Sequence, residues 1–456
     1  MADIEKRLNK AAVKKAGTWG TAVDTDAAGM GFLPLNPGSP KAAVQMMEDE
    51  AASAFEGNLD VGVINASDFG LDFDYRWDGR ENLLLAMLMG TAGVPGMYFI
   101  VSNANHHIDF EEAAGGEKNA VLANGTWTAA QICADIKAKL EALSNGVLTY
   151  TVTHNATTRT FTIATTANFK LWWNTGTNNA EAADTLLGFA ADLSGASTYT
   201  SSAAAVGLAL NYLHSFVLAN SAVGLFGTYA TEKFTAIHTV PTFKVLKGTF
   251  SLSGGLIKAA FNLRGSEVTD ASPLPAAFTS TTVTGNTHAR AKFQQAVFQM
   301  TPQGHAGFDG STDILRPKSF TLEIERKMDS EHVAGAQIIV EPVENDKPSV
   351  KLTLEFPRMD AGNAAYFADW IAGTAAAEKK AELVITGPAI QGAYNYYLKF
   401  EFPRLIVEDV EYADSKIIPA KIVLRGVTAD TAPTDMAATV PVVCQVMNTR
   451  TADYLA

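Results

Sequence analysis

Cysteine is nearly absent from this sequence: only Cys133 and Cys444 occur among 456 residues. Two isolated thiols cannot build a disulfide framework or a four-cysteine zinc site, so the composition fits folding in a reducing cytoplasm. Long apolar runs are missing too, because the longest, 83–89, is far too short to cross a bilayer. The amino-terminal segment has no apolar core of a secretory signal. We therefore expect a soluble protein, made in the cytoplasm, without membrane contact.

Basic residues are outnumbered by acidic ones. The sequence has 35 Lys and Arg against 48 Asp and Glu, a formal net charge of −13. A surface that wraps nucleic acid needs clustered Lys and Arg, so this balance argues against specific nucleic-acid binding. The chain is 47% hydrophobic, and at this length it can bury a large core in more than one domain.

Catalytic motifs are also missing: we find no G-x-S-x-G, no Walker A loop and no G-x-G-x-x-G. The pair His106–His107 could ligate a metal only with further ligands, and a solvated loop is the commoner arrangement. The nearby acidic residues are Asp109, Glu111 and Glu112. Cys133 falls within a helical pattern, which favours a small buried thiol. The sequence predicts no enzyme, no cofactor and no bound metal.

The pair Trp172–Trp173 has two open readings. Adjacent tryptophans beside Asn174 could stack on a sugar. One ring in a domain core and the other at the surface is at least as common an arrangement.

Two segments of the chain have similar sequences that are typical of a β-strand. LIKAAFNLRG at 256–265 and IIPAKIVLRG at 417–426 align without a gap. Such internal repeats indicate a duplicated structural unit. We expect Leu263 and Leu424 to be buried and each following glycine to end its strand. For the paired arginines two readings are open: a shared carboxylate partner, or a solvated strand end.

The repeat extends upstream of both strands. YRWDGRENLLLAMLMGTA (75–92) and PRMDAGNAAYFADWIAGTA (357–375) share an Arg-x-Asp and a Gly-Thr-Ala around a short helical run. Asp78 and Asp360 are predicted N-caps, and Gly90 and Gly373 suit the left-handed position after a helix. An alternating strand precedes each helix. Each half therefore reads strand, capped helix, further strands and the LRG strand.

The first half carries a long insertion at about 96–205, rich in Thr, Asn and Ala. Thr128 with Gln131 forms a capping box before an amphipathic helix, and LTYTVTHNATTRTFTIATT alternates around a polar turn as a hairpin does. This pattern predicts a small α+β domain placed in a surface loop, where insertion is tolerated.

The predicted fold class is α+β, mainly β. It comprises two tandem β-sandwich or barrel domains, each with a short helix, and one inserted α+β domain. The first domain is discontinuous, over 1–95 and 206–275, with the insertion at 96–205. Residues 276–314 are predicted as a linker, since the stretch after the first LRG is rich in Ser, Thr and Pro. The second domain is predicted over 315–456.

GTWGTAVDT near the start, DFGLDFDYRWDGRENLLLAMLMGTA, and the stretch from NYLHSF to AAFNLRG together resemble the major tail tube protein of long-tailed bacteriophages. The inserted segment resembles a small module of phage tail proteins. The resemblance implies domains that pair their sheets side by side into closed rings, leaving no bare edge. It also implies that loops and arms stack the rings. Candidate arms are 1–30, 36–53 and the hairpin tip 341–349, with assembly-loop residues Glu48, Asp49, Glu50, Glu344 and Asp346.

The resemblance further implies a viral structural protein of the virion tail that self-assembles into a conduit for genome ejection. Its partners would be further copies of itself and other tail proteins. DNA would pass through an acidic lumen without specific binding, since like charges repel. If six domains close a ring, a duplicated chain needs three copies. A trimer with pseudo-sixfold symmetry is favoured over a hexamer whose second domain forms an outer layer.

Two alternatives remain open at this point. The chain could be a virion-surface or tail-tip binding protein that uses the inserted domain. It could also be a secreted or surface enzyme, for which the sequence offers no catalytic residue pair.

Overall fold

The computed structural model describes residues 11–25, 30–32, 38, 40–48, 59–66, 68–93, 95–112, 115–144, 148–155, 158–205, 212–233, 236–253, 255–270, 289–305, 307–358, 361–372, 378–391, 394–412, 420–436, 438–450 and 452–455. Of these described residues, 50% are in strands and 12% in helices, and the strands form several antiparallel sheets. The predicted class, α+β with mainly β, is confirmed at this level. Within these ranges, no helix is both long and apolar enough to cross a membrane.

The first half supplies strands on both sides of the insertion. Its elements are β1 (Ala11–Lys15), β2 (Met30–Phe32), β3 (Ala42–Glu48), β4 (Leu59–Ala66), β5 (Phe69–Asp74), α1 (Asn82–Met89) and β6 (Pro95–Val101) before the insertion. The inserted elements are β7 (His107–Glu112), β8 (Lys118–Val121), β9 (Gly125–Thr128), α2 (Ala129–Leu143), β10 (Thr151–Asn155), β11 (Thr160–Leu171), a 3-10 turn (Asn179–Glu181), α3 (Asp184–Leu187) and β12 (Leu193–Thr200). After it come β13 (Tyr212–Val217), β14 (Gly227–Lys233), β15 (Ala236–Ser253), β16 (Ile257–Gly265) and β17 (Thr269–Asp270).

The second half follows with the same kinds of element. They are a 3-10 turn (Phe293–Gln295), β18 (Ala296–Pro302), β19 (Ile314–Leu315), β20 (Ser319–Glu325), β21 (Met328–Asp329), β22 (Val343–Glu344), β23 (Ser349–Phe356), α4 (Ala361–Ala372), β24 (Lys379–Gln391), β25 (Tyr394–Tyr412), β26 (Ala420–Gly426) and β27 (Val443–Asn448).

The two LRG strands have matching neighbours. Strand β16 lies between β5 and β15, and β26 lies between β23 and β25, all antiparallel. Leu263 lies opposite Phe69 on one side, and Leu424 lies opposite Leu352. Both leucines are fully buried, and Gly265 and Gly426 end their strands. The predictions for the two leucines and glycines are confirmed.

The irregularities of the strands are repeated as well. Val245 lies opposite Leu263, and Val407 lies opposite Leu424; a β-bulge follows directly after each valine. A bulge also begins at the pair Gly227–Phe243 of β14 and β15, and at the pair Lys379–Leu405 of β24 and β25. A bulge inserts one unpaired residue and bends its strand, so it is a specific feature rather than a generic one. Two bulges in the same register show that the halves share one backbone design.

Part of the predicted linker is wrong. The interval 276–314 contains β18, which pairs with β24 from Ala296↔Ile385 to Pro302↔Lys379. In the first half β1 pairs with β14 in the matching way, ending at Lys15↔Gly227. Strand β18 is therefore the counterpart of β1 and belongs to the second half. Residues 271–288 lie outside the described ranges.

Two details of the repeat also differ from the sequence prediction. The strand pairing aligns Phe69 with Leu352. In that alignment Gly90 still matches Gly373, but Arg76 and Arg358 are offset by one residue. The predicted N-cap Asp78 is wrong, since α1 begins after Glu81 without a side-chain cap. Gly90 does take the left-handed conformation, with φ 77°. Asp360 and Gly373 lie outside the described residues.

The buried side chains form two large clusters. One is contributed by both halves and surrounds α1. The other is contributed only by residues from Phe99 to Tyr212, so the inserted segment has a core of its own. The capping box of Thr128 with Gln131 and the β10–β11 hairpin, both predicted from sequence, are present.

Candidate assembly interface

Two strand pairs join the halves: β13 pairs with β27, and β15 pairs with β20. After its bulge, β15 pairs with β16 on one edge and with β20 on the other, from Lys247↔Glu325 to Ser253↔Ser319. Strand β20 in turn pairs with β23. The sheet of the first half therefore continues into the sheet of the second without a break. We call this β15–β20 contact the internal junction.

The side chains on this seam alternate as in an ordinary half-buried sheet. Phe250 lies opposite Leu322, and both are buried. On the other face, the Lys247 ammonium donates to the Glu323 carboxylate at 2.8 Å. Such pairs, apolar inside and oppositely charged outside, stabilise adjacent strands and fix their register.

Arg326 is a fully buried cation of the internal junction. Its guanidinium, with no exposed side-chain area, donates to the Leu88 carbonyl at 2.5 Å and the Met89 carbonyl at 3.2 Å. These carbonyls end α1, where a helix leaves acceptors unsatisfied and carries partial negative charge. It also donates to the Ala219 carbonyl at 2.7 Å. A residue of the second half thus caps the helix of the first.

The charge of Arg326 is balanced by Glu344. The guanidinium lies 3.3 Å from the Glu344 carboxylate, which also accepts from the Ala222 N–H at 2.6 Å. Burial lowers the pKa of Arg326, and the carboxylate opposes that effect. Since an arginine stays protonated in proteins, removing either partner leaves a buried charge alone.

A second ion pair closes the same side of the junction. The buried Lys244 ammonium on β15 lies 2.6 Å from the Glu341 carboxylate, which also accepts from the Gly224 N–H at 2.8 Å. Glu341 and Glu344 together bind the turn that follows β13. The prediction of an extended arm with its tip at 341–349 is therefore wrong in placement: β22 pairs with β21, and this acidic segment is docked on the first half.

The arginine of the first LRG strand also crosses the junction. Arg264 donates to both carboxylate oxygens of Asp68 at 2.8 Å. It reaches the Met328 carbonyl and the Ser330 hydroxyl of the second half at 3.1 Å. The Asp68 hydrogen bonds raise the pKa of Arg264. The predicted carboxylate partner is present here, whereas Arg425 is exposed and forms no ion pair with any described residue.

The other predicted assembly-loop residues are placed as follows. Asp346 is exposed and pairs with Lys327 at 3.2 Å. Glu48 is the last residue of β3. Asp49 and Glu50 lie outside the described residues, as do residues 1–10 of the predicted amino-terminal arm.

The histidine pair is brought to a ligand that sequence reasoning did not name. His106, His107 and Glu181 have ligand atoms within 4.8 Å of one another. The His107 ring bonds Asn119 at 2.8 Å through Nδ1 and Glu181 at 3.2 Å through Nε2. The acidic residues suggested from sequence contact other side chains. Asp109 accepts a hydrogen bond from Asn178, and Glu111 and Glu112 form ion pairs with Lys170 and Lys118. These contacts tie the loops of the inserted domain together.

Cys133 and the pair Trp172–Trp173 are the other residues that the sequence analysis considered. Burial raises the pKa of the Cys133 thiol to about 11, which disfavours the reactive thiolate. Trp173 is buried and stacks on Phe189 with ring centroids 5.1 Å apart. Trp172 lies half-buried beside Lys170. The core reading of the pair fits better than a sugar platform.

Sequence reasoning missed Arg326, although a signal was available. In SFTLEIER the residues Phe320, Leu322 and Ile324 face inward, so Arg326 continues the inward series. A cation at an inward position of a strand must find acceptors in the interior. Glu341 carried no comparable signal, because it lies outside any regular element.

No protein-family model matches the chain, and a search of curated proteins finds no relative.

Proposed function

We propose that this protein is a structural subunit of a phage tail tube, which polymerises through sheet edges into stacked rings that conduct DNA. The observation that carries the proposal is the internal junction. It joins two halves of one backbone design edge to edge, with β15 against β20. A contact between two equivalent units can recur between copies of the chain, and repetition around an axis closes a ring.

The duplication bears on the number of chains per ring. If the contact between copies repeats the internal junction, each chain contributes two equivalent steps around the axis. Six such steps then require three chains, giving pseudo-sixfold symmetry. A hexamer with the second half as an outer layer would not reuse the junction. We therefore favour the trimer.

The exposed face of the continuous sheet fits a hydrated channel wall. Residues pointing away from the core on this sheet carry charges of both signs. The acidic members are Asp72, Asp74, Glu323, Glu325, Glu355, Asp409 and Glu411; the basic members are Lys247, Lys258, Arg264, Lys351, Lys421 and Arg425. Several basic members are neutralised, as in the Lys247–Glu323 and Lys421–Glu411 pairs. Together with the net charge of −13, such a wall would not hold DNA by clustered cations.

The inserted domain belongs on the outside in this proposal. Its core is separate, and it enters and leaves the framework where Met97 lies opposite Tyr212. A bulky domain in the lumen would block the passage of DNA. A peripheral knob leaves the ring geometry unchanged.

Negative-stain microscopy of the purified chain tests the function. We expect rings or stacked tubes with a central channel. The matched control is the same preparation after substitution of the buried junction residue Arg326→Ala, which should lose regular rings. A wild-type chain that shows only monodisperse monomers under all assembly conditions would contradict the proposal and favour the binding-protein alternative.

A further inference from the structure

Helix α4 exposes the apolar face that α1 buries. With Gly90 and Gly373 aligned, Leu83 corresponds to Tyr366, and both are buried against their own half. The next positions differ: Leu84 is 0% exposed and Phe367 39%, and Leu88 is 0% exposed and Ile371 68%. Met87 is 2% exposed and Trp370 38%. These positions lie on one helix face, three and four residues apart.

Strand β25 has an open edge at the corresponding place. The β15 stretch that follows the bulge, beginning at Lys247, pairs with β20 on its outer edge. Its counterpart in β25 begins at Asp409 and pairs with β26 alone among the residues the structure describes. An unpaired strand edge beside an exposed apolar helix is a template for association.

Two further pairs of corresponding residues also differ in exposure between the halves. Lys244, buried beside Glu341, has Ile406 as its counterpart, and Ile406 is exposed. Arg264, bonded across the internal junction, has the exposed Arg425 as its counterpart. At these two positions, a group that the second half covers in the first half has an exposed counterpart in the second half.

The first half also contains a counterpart of β20. Thr321 of β20 lies opposite Thr353, and these residues correspond to Gly38 and Gly70. A side chain at Gly38 would contact the Gly70 carbonyl oxygen, so Gly38 lies beside β5 as Thr321 lies beside β23. The β3–β4 hairpin follows this segment, as the β21–β22 hairpin follows β20.

We infer that the occupant of the α4 and β25 surface is the first half of a second copy of this chain. Its residues Gly38 and 40–42 add to the β25 edge in antiparallel orientation, in the register of the internal junction, which places Ala42 opposite Asp409. Its β3–β4 hairpin covers Phe367, Trp370 and Ile371. The contact is head to tail, so the same two surfaces meet at every step. This inference deepens the proposed function and rests on it.

An apolar-to-charged substitution tests the helix face. Ile371→Asp should lower the association constant about tenfold or more in sedimentation velocity, since a buried charge at an interface centre is strongly disfavoured. Leu143→Asp is the matched control, because Leu143 is 41% exposed and lies on helix α2 of the inserted domain; it should associate as the wild type does. Circular dichroism and the melting temperature of the monomer should be unchanged in both.

A disulfide pair tests the register. In a Cys133→Ser background, Ala42→Cys with Asp409→Cys should cross-link between copies on mild oxidation, because directly opposed Cβ atoms lie about 5 Å apart. Ala42→Cys with Glu411→Cys is displaced along the strand and should cross-link several-fold more slowly. Mixing chains that each carry one cysteine distinguishes cross-links between copies from those within a chain.

The outcomes separate this inference from the proposed function. Rings that form with Ile371→Asp, or that cross-link equally in both registers, would overturn the inference and leave the tube function standing. A wild-type chain that never associates would overturn both. Selective cross-linking with loss of assembly in Ile371→Asp supports both.

Discussion

Helix α1 and helix α4 occupy the same place in the two halves, yet every residue of α1 is buried while α4 presents Phe367, Trp370 and Ile371 to solvent. The own-half contacts are the same in kind, since Leu83 and Tyr366 both point into the core. Both halves cover α1: the second half does so with Arg326 and the segment around Glu344, and the first half with Ala219, Gly227 and Gly248. The exposed face of α4 has no such cover among the described residues.

The junction cation should give the largest effect on stability. We expect Arg326→Ala to lower the free energy of unfolding by about 3–5 kcal/mol, because it leaves Glu344 and the α1 carbonyls buried without their donor. Arg425→Ala, at the exposed LRG arginine, should change it by less than about 0.5 kcal/mol. Urea denaturation of the monomer measures both. Equal effects would mean that the two sides of the molecule do not differ as described.

The two LRG leucines test whether the cores of the two halves are equivalent. Leu263→Ala and Leu424→Ala each remove a fully buried side chain, and each should cost about 2–5 kcal/mol. Because both leucines occupy the same register, we expect the two losses to be similar. A loss below about 1 kcal/mol at either site in the same denaturation experiment would contradict the equivalence of the two cores.

The buried carboxyl group of Glu81 should give the first half a pH effect that has no counterpart at the matching position of the second half. Burial, with the nearby Asp78, raises the pKa of Glu81 from 4.5 to about 8, and the corresponding residue of the second half is Ala364. Between about pH 4.5 and 8 the unfolded chain loses this proton while the folded chain keeps it. The free energy of unfolding then falls as pH rises, by up to about 1.4 kcal/mol per pH unit. Denaturation of the wild type and Glu81→Gln across this range should show a shallower slope in the variant; parallel curves would rule out a buried proton.

Removal of the inserted domain should have the smallest effect on assembly. Met97 lies directly opposite Tyr212, so a two-residue Asn-Gly turn can join them as a hairpin and replace residues 98–211. Because the remaining core is separate, we expect the shortened chain to form the same rings in negative stain. A folded deletion variant that no longer assembles would place the inserted domain within the interface.

Local pattern was sufficient for much of the fold. Alternation placed Leu263 and Leu424 in the core, Thr128 and Gln131 identified the start of α2, and Gly90 marked the end of α1. Each of these features depends on residues close in sequence, where side-chain direction and capping follow from spacing.

The candidate interface could not be derived in the same way. Glu344 was suggested as a residue of an assembly loop, but it lies against Arg326 and Ala222, whose approach depends on how the halves meet. The linker prediction over β18 failed because Ala296–Pro302 is a short strand next to polar, proline-containing sequence. In sequence, the exposed face of α4 has the apolar pattern of an ordinary core-facing helix. Its difference from α1 appears only when the exposure of the two helices is compared in the structure.

In the proposed ring, the first half of each chain closes the open side of the second half of its neighbour. Native mass spectrometry of the isolated ring measures the number of chains directly. Three chains per ring, with six equivalent density lobes in a reconstruction computed without imposed symmetry, is the result we expect. Six chains per ring would contradict the claim, because the internal junction would then not be the step that repeats.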